Sequence, residues 1–234
     1  MYKLGKYKGT DRMCDLVEDN HSILLIMSRF GIALGFGESS DEEVCRQNGV
    51  DTPTFLALAN LSTDEAPSAE EISGVSPRAF LHYLHNSHDY FLQFRLPAIR
   101  RKLTEATEGG DEANRFVLLR FFDEYAAEVE RHMAYEEQTV FPYVRALIEG
   151  RLEEEYDISI FHRRHDAIEL KIIELKNILL KHYPARDSNE MNSALFDIFL
   201  CEEDLTAHNH AENVLFVPLV EALERQLKTK GRKS

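Results

Sequence analysis

The stretch HMAYEEQTVFP at residues 132–142 returns near the C-terminus as HNHAENVLFVP at residues 208–218. Each copy places a glutamate four residues after its first histidine, a proline ten residues after it, and a phenylalanine shortly before the proline. Residues three and four apart share one face of a helix. On that spacing one face reads Val129, His132, Glu136, Val140 and Tyr143, and the other reads Leu205, His208, Glu212, Phe216 and Leu219. Polar groups therefore stand where leucines are expected. No segment of the chain shows the two-residue alternation of a strand.

The same face pattern occurs twice more. Leu81, Leu84, His88, Leu92, Leu96 and Ile99 form one seam, and Ile158, Phe161, His165, Ile168, Ile172 and Leu175 form another, each interrupted by a single histidine. His88 precedes His132 by 44 residues and His165 precedes His208 by 43, so two helix pairs carry matching groups at matching distances. Stop signals at Gly109–Gly110, Gly150 and Pro184 divide residues 77–228 into helices of about thirty to forty residues. Long helices joined by short loops predict an all-α, up-down-up-down four-helix bundle.

Residues 1–62 read differently. Ser40 with Glu43 makes a capping-box pattern, and Asp51 with Pro53 opens the next helix in cap-then-proline order. The helices there are short, which predicts a small helical N-terminal domain. Residues 63–76 are acidic and small, without apolar period, and read as a linker.

Composition narrows the function. A net charge of −14 repels phosphate backbones and acidic membranes, so neither nucleic acid nor membrane is an expected partner. Cys14, Cys45 and Cys201 are odd in number and lack CxxC spacing, which argues against a disulfide framework or a thiolate zinc site. No run of about 18 apolar residues occurs, and the opening MYKLGKYKGT lacks a secretory pattern. The expectation is a cytoplasmic protein; its oligomeric state is open, with a homodimer among the options.

Ten histidines ask for a chemical reason. HxxxE or HxxxD also occurs at His85/Asp89, His162/Asp166 and His165/Glu169, so spacing alone is weak. The repeat is stronger, because two solvated ion pairs would have no reason to hold one register on two core faces. Buried imidazoles and carboxylates in one layer are expensive unless a cation neutralises them. His88, His132, Glu136, His165, His208 and Glu212 are too many ligands for one ion and suit two ions sharing two carboxylates. Mixed imidazole and carboxylate donors suit iron, with manganese and zinc as alternatives. Glu128 and Asp204, four residues before His132 and His208, are expected to orient those rings.

The two quoted stretches look like the signature helices of the hemerythrin-like HHE domain, and Arg164–Asp166 resembles its third-helix motif. With its small N-terminal module the chain resembles the iron–sulfur cluster repair di-iron proteins (RIC, ScdA/YtfE type). The resemblance implies a non-haem centre of two iron ions, oxo- or hydroxo-bridged, with both glutamates bridging and His88 supplying the first-helix ligand. It further implies nitric oxide and dioxygen as ligands, damaged iron–sulfur proteins as partners, and a role after nitric oxide or oxidative stress. The family's vicinal cysteine pair is absent: the corresponding stretch, GIALGFGESSDEEVC at residues 31–45, has Gly35 and Phe36 near those positions and keeps only Cys45. Asn213, five residues after His208, replaces the aspartate of oxygen-carrying hemerythrins. A nitric oxide or peroxide reductase and a gas or iron sensor share the same ligands and remain competing classes. His82 and His85 rival His88, while His210 falls on the opposite side of its helix from His208 and reads as a surface residue.

Overall fold

The computed structural model describes residues 5–61, 66–152, 156–159, 166–183 and 188–231. These are all-α: the described residues contain no strand, only an isolated bridge between Arg12 and Ser40. No described helix is long and apolar enough to cross a membrane. The chain falls into two compact units. One comprises Met1–Ser87, Phe141–Ile160 and His210–Ser234; the other comprises His88–Val140 and Phe161–Asn209.

The first unit begins with short helices α1 (Met13–Asp19), α2 (Ile23–Arg29), α3 (Asp41–Gln47) and α4 (Thr52–Asn60). Ser40 and Glu43 form the reciprocal capping box on α3, and Asp51 caps α4 by accepting from the Thr54 amide at 3.0 Å. Helix α5 (Ala69–Gly74) lies within the stretch that reads as a linker. A second capping box, Ser68 with Glu71, starts it, and Lys6 holds Glu71 at 2.7 Å. Helix α6 (Pro77–Asp89) follows. The buried Arg29 guanidinium of α2 donates to the Tyr83 hydroxyl of α6 at 3.2 Å and lies 5.7 Å from the centre of its ring. Asn86 donates to the Arg29 carbonyl at 2.6 Å, so the short helices are tied to α6 by polar bonds as well as by packing. Helix α9 (Phe141–Ile148) and the turn leading into α12 (Val217–Gly231) bring Phe141 and Phe216 into this unit, where Phe80 stacks on Phe216 at 5.6 Å. Buried Glu224 accepts from the Tyr143 hydroxyl at 2.7 Å and from the Ile158 amide at 3.1 Å, which satisfies its charge with donors. Gly150, at φ 82, ends α9: its amide bonds Leu147 and that of Arg151 bonds Ala146, the paired closure that favours glycine at this position.

The second unit contains α7 (Leu96–Ala106), α8 (Glu112–Tyr135), α10 (Asp166–Lys181) and most of α11 (Ser188–Ala211). Its core is a continuous apolar cluster in which Phe122, Tyr125 and Val129 of α8 meet Ile168, Ile172 and Leu175 of α10 and Ile198, Cys201 and Leu205 of α11. Burying each large side chain stabilises the unit by about 1.5–3 kcal/mol. Around this core Arg100 grips Asp123 at 2.6 Å, and Lys102 grips Asp197 at 2.6 Å.

Three of the long helices predicted from sequence are interrupted. π-helical segments occupy Tyr90–Arg95 between α6 and α7, Glu136–Val140 between α8 and α9, and Glu212–Phe216 between α11 and α12. Each segment ends two residues before a proline, at Pro97, Pro142 and Pro218. Proline lacks an N–H and its ring collides with the carbonyl four residues back. The helix accommodates it by widening: the Leu96 amide bonds the Phe91 carbonyl and the Val217 amide bonds the Glu212 carbonyl, five residues apart instead of four. The extra residue shifts the inward face. Phe91 is buried and Leu92 is not, so the seam steps His88, Phe91, Leu96, in place of the His88, Leu92, Leu96 that an unbroken helix would give.

Candidate metal centre

The widened turns are where the candidate ligands lie. His88 is the penultimate residue of α6, and His132 and His208 stand four residues before Glu136 and Glu212, which open the second and third π-helical segments. All five side chains are buried, with both glutamates and His208 fully so. π-Helical turns concentrate at functional sites because they displace side chains that a regular helix would align.

Glu136 joins two of the histidines. Its Oε2 lies 2.9 Å from His88 Nε2 and its Oε1 lies 2.7 Å from His132 Nε2. The His88 and His208 rings meet edge to face with centroids 5.4 Å apart, and Phe91 packs against His208 at 5.9 Å. Among the described residues, His88, Glu136 and His208 of the second unit each offer a ligand atom, and these atoms all lie within 4.8 Å of one another. Imidazole and carboxylate donors stand about 2.0–2.2 Å from an ion such as zinc, so ligands on opposite sides of one ion are about 4 Å apart. The group has the dimensions that metal ligation needs. His165 lies outside the described residues.

The second nitrogen of His88 sharpens the argument. His88 Nδ1 lies 2.8 Å from Glu137 Oε1, while its Nε2 faces Glu136. A neutral imidazole has one N–H and cannot donate to both carboxylates. With Nδ1–H directed at Glu137, the Nε2 side requires a second proton or a metal cation. No described lysine or arginine pairs with Glu136, whose ion-pair partners are His88 and His132. A fully buried carboxylate served only by imidazoles is costly without a cation, so the residues present fit a bound metal.

One sequence expectation changes here. Glu128 does not orient His132: it pairs with Arg131 at 2.6 Å and Lys171 at 3.2 Å, which lowers its carboxyl pKa. Asp204 is buried one turn before His208. A carboxylate that reaches a candidate ligand is Glu137, on His88 Nδ1. Its only trace in the sequence is the doubled glutamate of HMAYEEQTVFP, which the second copy replaces by Asn213. His82 and His85, the rivals of His88, are exposed and line an open groove of about 300 Å³ with Arg78 and Arg145. His210 is exposed as well.

No curated protein matches the chain. The family model described as the hemerythrin HHE cation-binding domain matches residues 79–220, more than half of the chain, and takes in every candidate ligand from His88 to Glu212. The chain belongs to the hemerythrin family of HHE cation-binding domains.

Proposed function

We propose that the chain is a non-haem di-iron protein that restores iron–sulfur clusters after nitric oxide or oxidant damage in the cytoplasm. The observation that carries the metal reading is Glu136, fully buried, with one oxygen turned to His88 and the other to His132. A carboxylate that addresses two imidazoles from different helices is disposed to bridge two ions. Glu212 repeats its position in the second copy of the motif, and His165 and His208 complete two imidazoles per ion. Iron held in this way would supply open positions for diatomic ligands and two accessible oxidation states. Phe91, Val129, Val140 and Leu205, buried residues of the ligand-bearing helices, would keep water from a metal held there.

Imidazole and carboxylate ligation holds ferrous iron less tightly than several thiolates do, which favours transfer of iron to a damaged cluster. The Cys45 thiol is not poised for that chemistry, since burial pushes it up to about 12. The test combines metal analysis and Mössbauer spectra with recovery of a nitric-oxide-damaged hydratase. Two irons per chain, and recovery lost in Glu136→Ala/Glu212→Ala, are expected. One zinc per chain from iron-replete preparations refutes the di-iron reading. Steady nitric oxide turnover with an electron donor, without recovery, assigns the site to a reductase instead.

A further inference from the structure

Helix α10 has two apolar faces. Ile168, Ile172, Leu175 and Leu179 are buried against its own unit. Leu170, Ile173 and Leu180 lie on the opposite side, between about two-fifths and two-thirds exposed, with Asn177 completing the spacing of three, four and three residues. This is the a/d stripe that a second helix covers, and a helix apolar all round is ordinarily buried all round. The neighbouring α11 extends the surface with exposed Phe196, Phe199 and Leu200, and Lys176 of α10 reaches across to Glu202 and lies 5.0 Å from the centre of the Phe199 ring. Six large apolar side chains leave roughly 500–600 Å² uncovered, at the top of the range for a monomer and most of the ~800 Å² per partner of a stable interface.

We propose that this face joins two copies of the chain, with α10 packed antiparallel on α10 of the second copy about a two-fold axis. The charges flanking the stripe select both the partner and the direction. Glu174 and Lys181 lie seven residues apart on one flank, both exposed, and neither forms an ion pair among the described residues. Antiparallel pairing sets Glu174 of each copy beside Lys181 of the other, so one patch is complementary to itself, as a two-fold interface requires. Parallel pairing sets Lys176 of one copy beside Lys181 of the other. A polar residue at one seam position, here Asn177, favours a single register over slipped ones.

The test is mass by light scattering and dissociation constant by sedimentation at ~50 µM chain, on the full protein. The wild type is expected at twice 27.0 kDa. Ile173→Glu and, separately, Leu180→Glu are expected at 27.0 kDa with unchanged far-ultraviolet circular dichroism, both side chains being exposed within their own chain. Glu174→Lys alone and Lys181→Glu alone each weaken association roughly tenfold, the size of one close charge reversal; the double variant regains it. A monomeric wild type, or a dimer indifferent to both apolar-face substitutions, overturns the proposal. A double variant weaker than either single one overturns the antiparallel arrangement. All of these readouts are independent of iron.

Discussion

Replacing Glu137 by alanine removes the acceptor 2.8 Å from His88 Nδ1 and leaves a buried N–H without it. A hydrogen bond to a charged group contributes about 1.5–3 kcal/mol. The Glu137 side chain is 29% exposed, so water screens part of this and the lower half of the range applies. About 1.5–2 kcal/mol converts to a ~10–30-fold loss of metal affinity, within the range seen when partners of ligating histidines are removed. Glu137→Gln keeps an acceptor without the charge and should lose about half as much free energy. Chelator competition measures the affinity. Nitrogen-15 shifts of the metal-free protein report separately whether Nδ1 carries the proton. Equal affinity in wild type and Glu137→Ala, together with an unprotonated Nδ1, would refute the reasoning. A protonated Nδ1 in a protein that binds no metal would leave the hydrogen bond standing and remove the di-iron reading.

Glu136→Gln/Glu212→Gln should lose metal, yet cost the metal-free protein no more than about 1 kcal/mol in urea unfolding; a structural polar core would lose ~3–5 kcal/mol. Lys6, with help from the Ser68 amide, holds the Glu71 carboxyl down to about 2. The folded form therefore binds that proton less tightly than the unfolded form does, and stability from this contact is complete above about pH 4.5 and fades as pH falls toward about 2. Lys6→Met should abolish that part of the acid sensitivity; an unchanged acid unfolding curve counts against it. Native Cys45, with its thiol pushed up by burial, should alkylate at least ~100-fold more slowly than in guanidinium. Rapid labelling of the folded protein would contradict its placement.

Local chemistry was legible where the signal is local. Ser40 and Glu43, or Asp51 and Pro53, act within one turn, and the structure uses both pairs as written. The buried layer was legible because His88, His132, Glu136, His208 and Glu212 each interrupt an apolar period. Helix α5 was within reach, since Ser68 and Glu71 spell the same capping box, but its helix buries no residue and leaves no apolar period to find. Glu128 misled for the opposite reason. Its spacing from His132 is local, whereas Lys171, the partner that claims it, arrives from α10, 43 residues away. Phe91 in place of Leu92 was hidden because a fixed period assumes an unbroken helix, and Pro97 breaks that assumption.

Each π-helical segment amounts to one residue more than a regular helix would hold. The family's motif is therefore sensitive to length in a way that residue identity does not reveal. Deleting Gln138 would let the backbone return to four-residue bonding with Phe141 and Tyr143 still on their present faces, because the π turn already holds the surplus residue. Deleting Ala127 from the regular α8 would instead turn everything beyond it by about 100°, His132 and Glu136 included, though every candidate ligand was kept. In helices of this kind the place of a one-residue gap decides whether it is absorbed or carried down the helix.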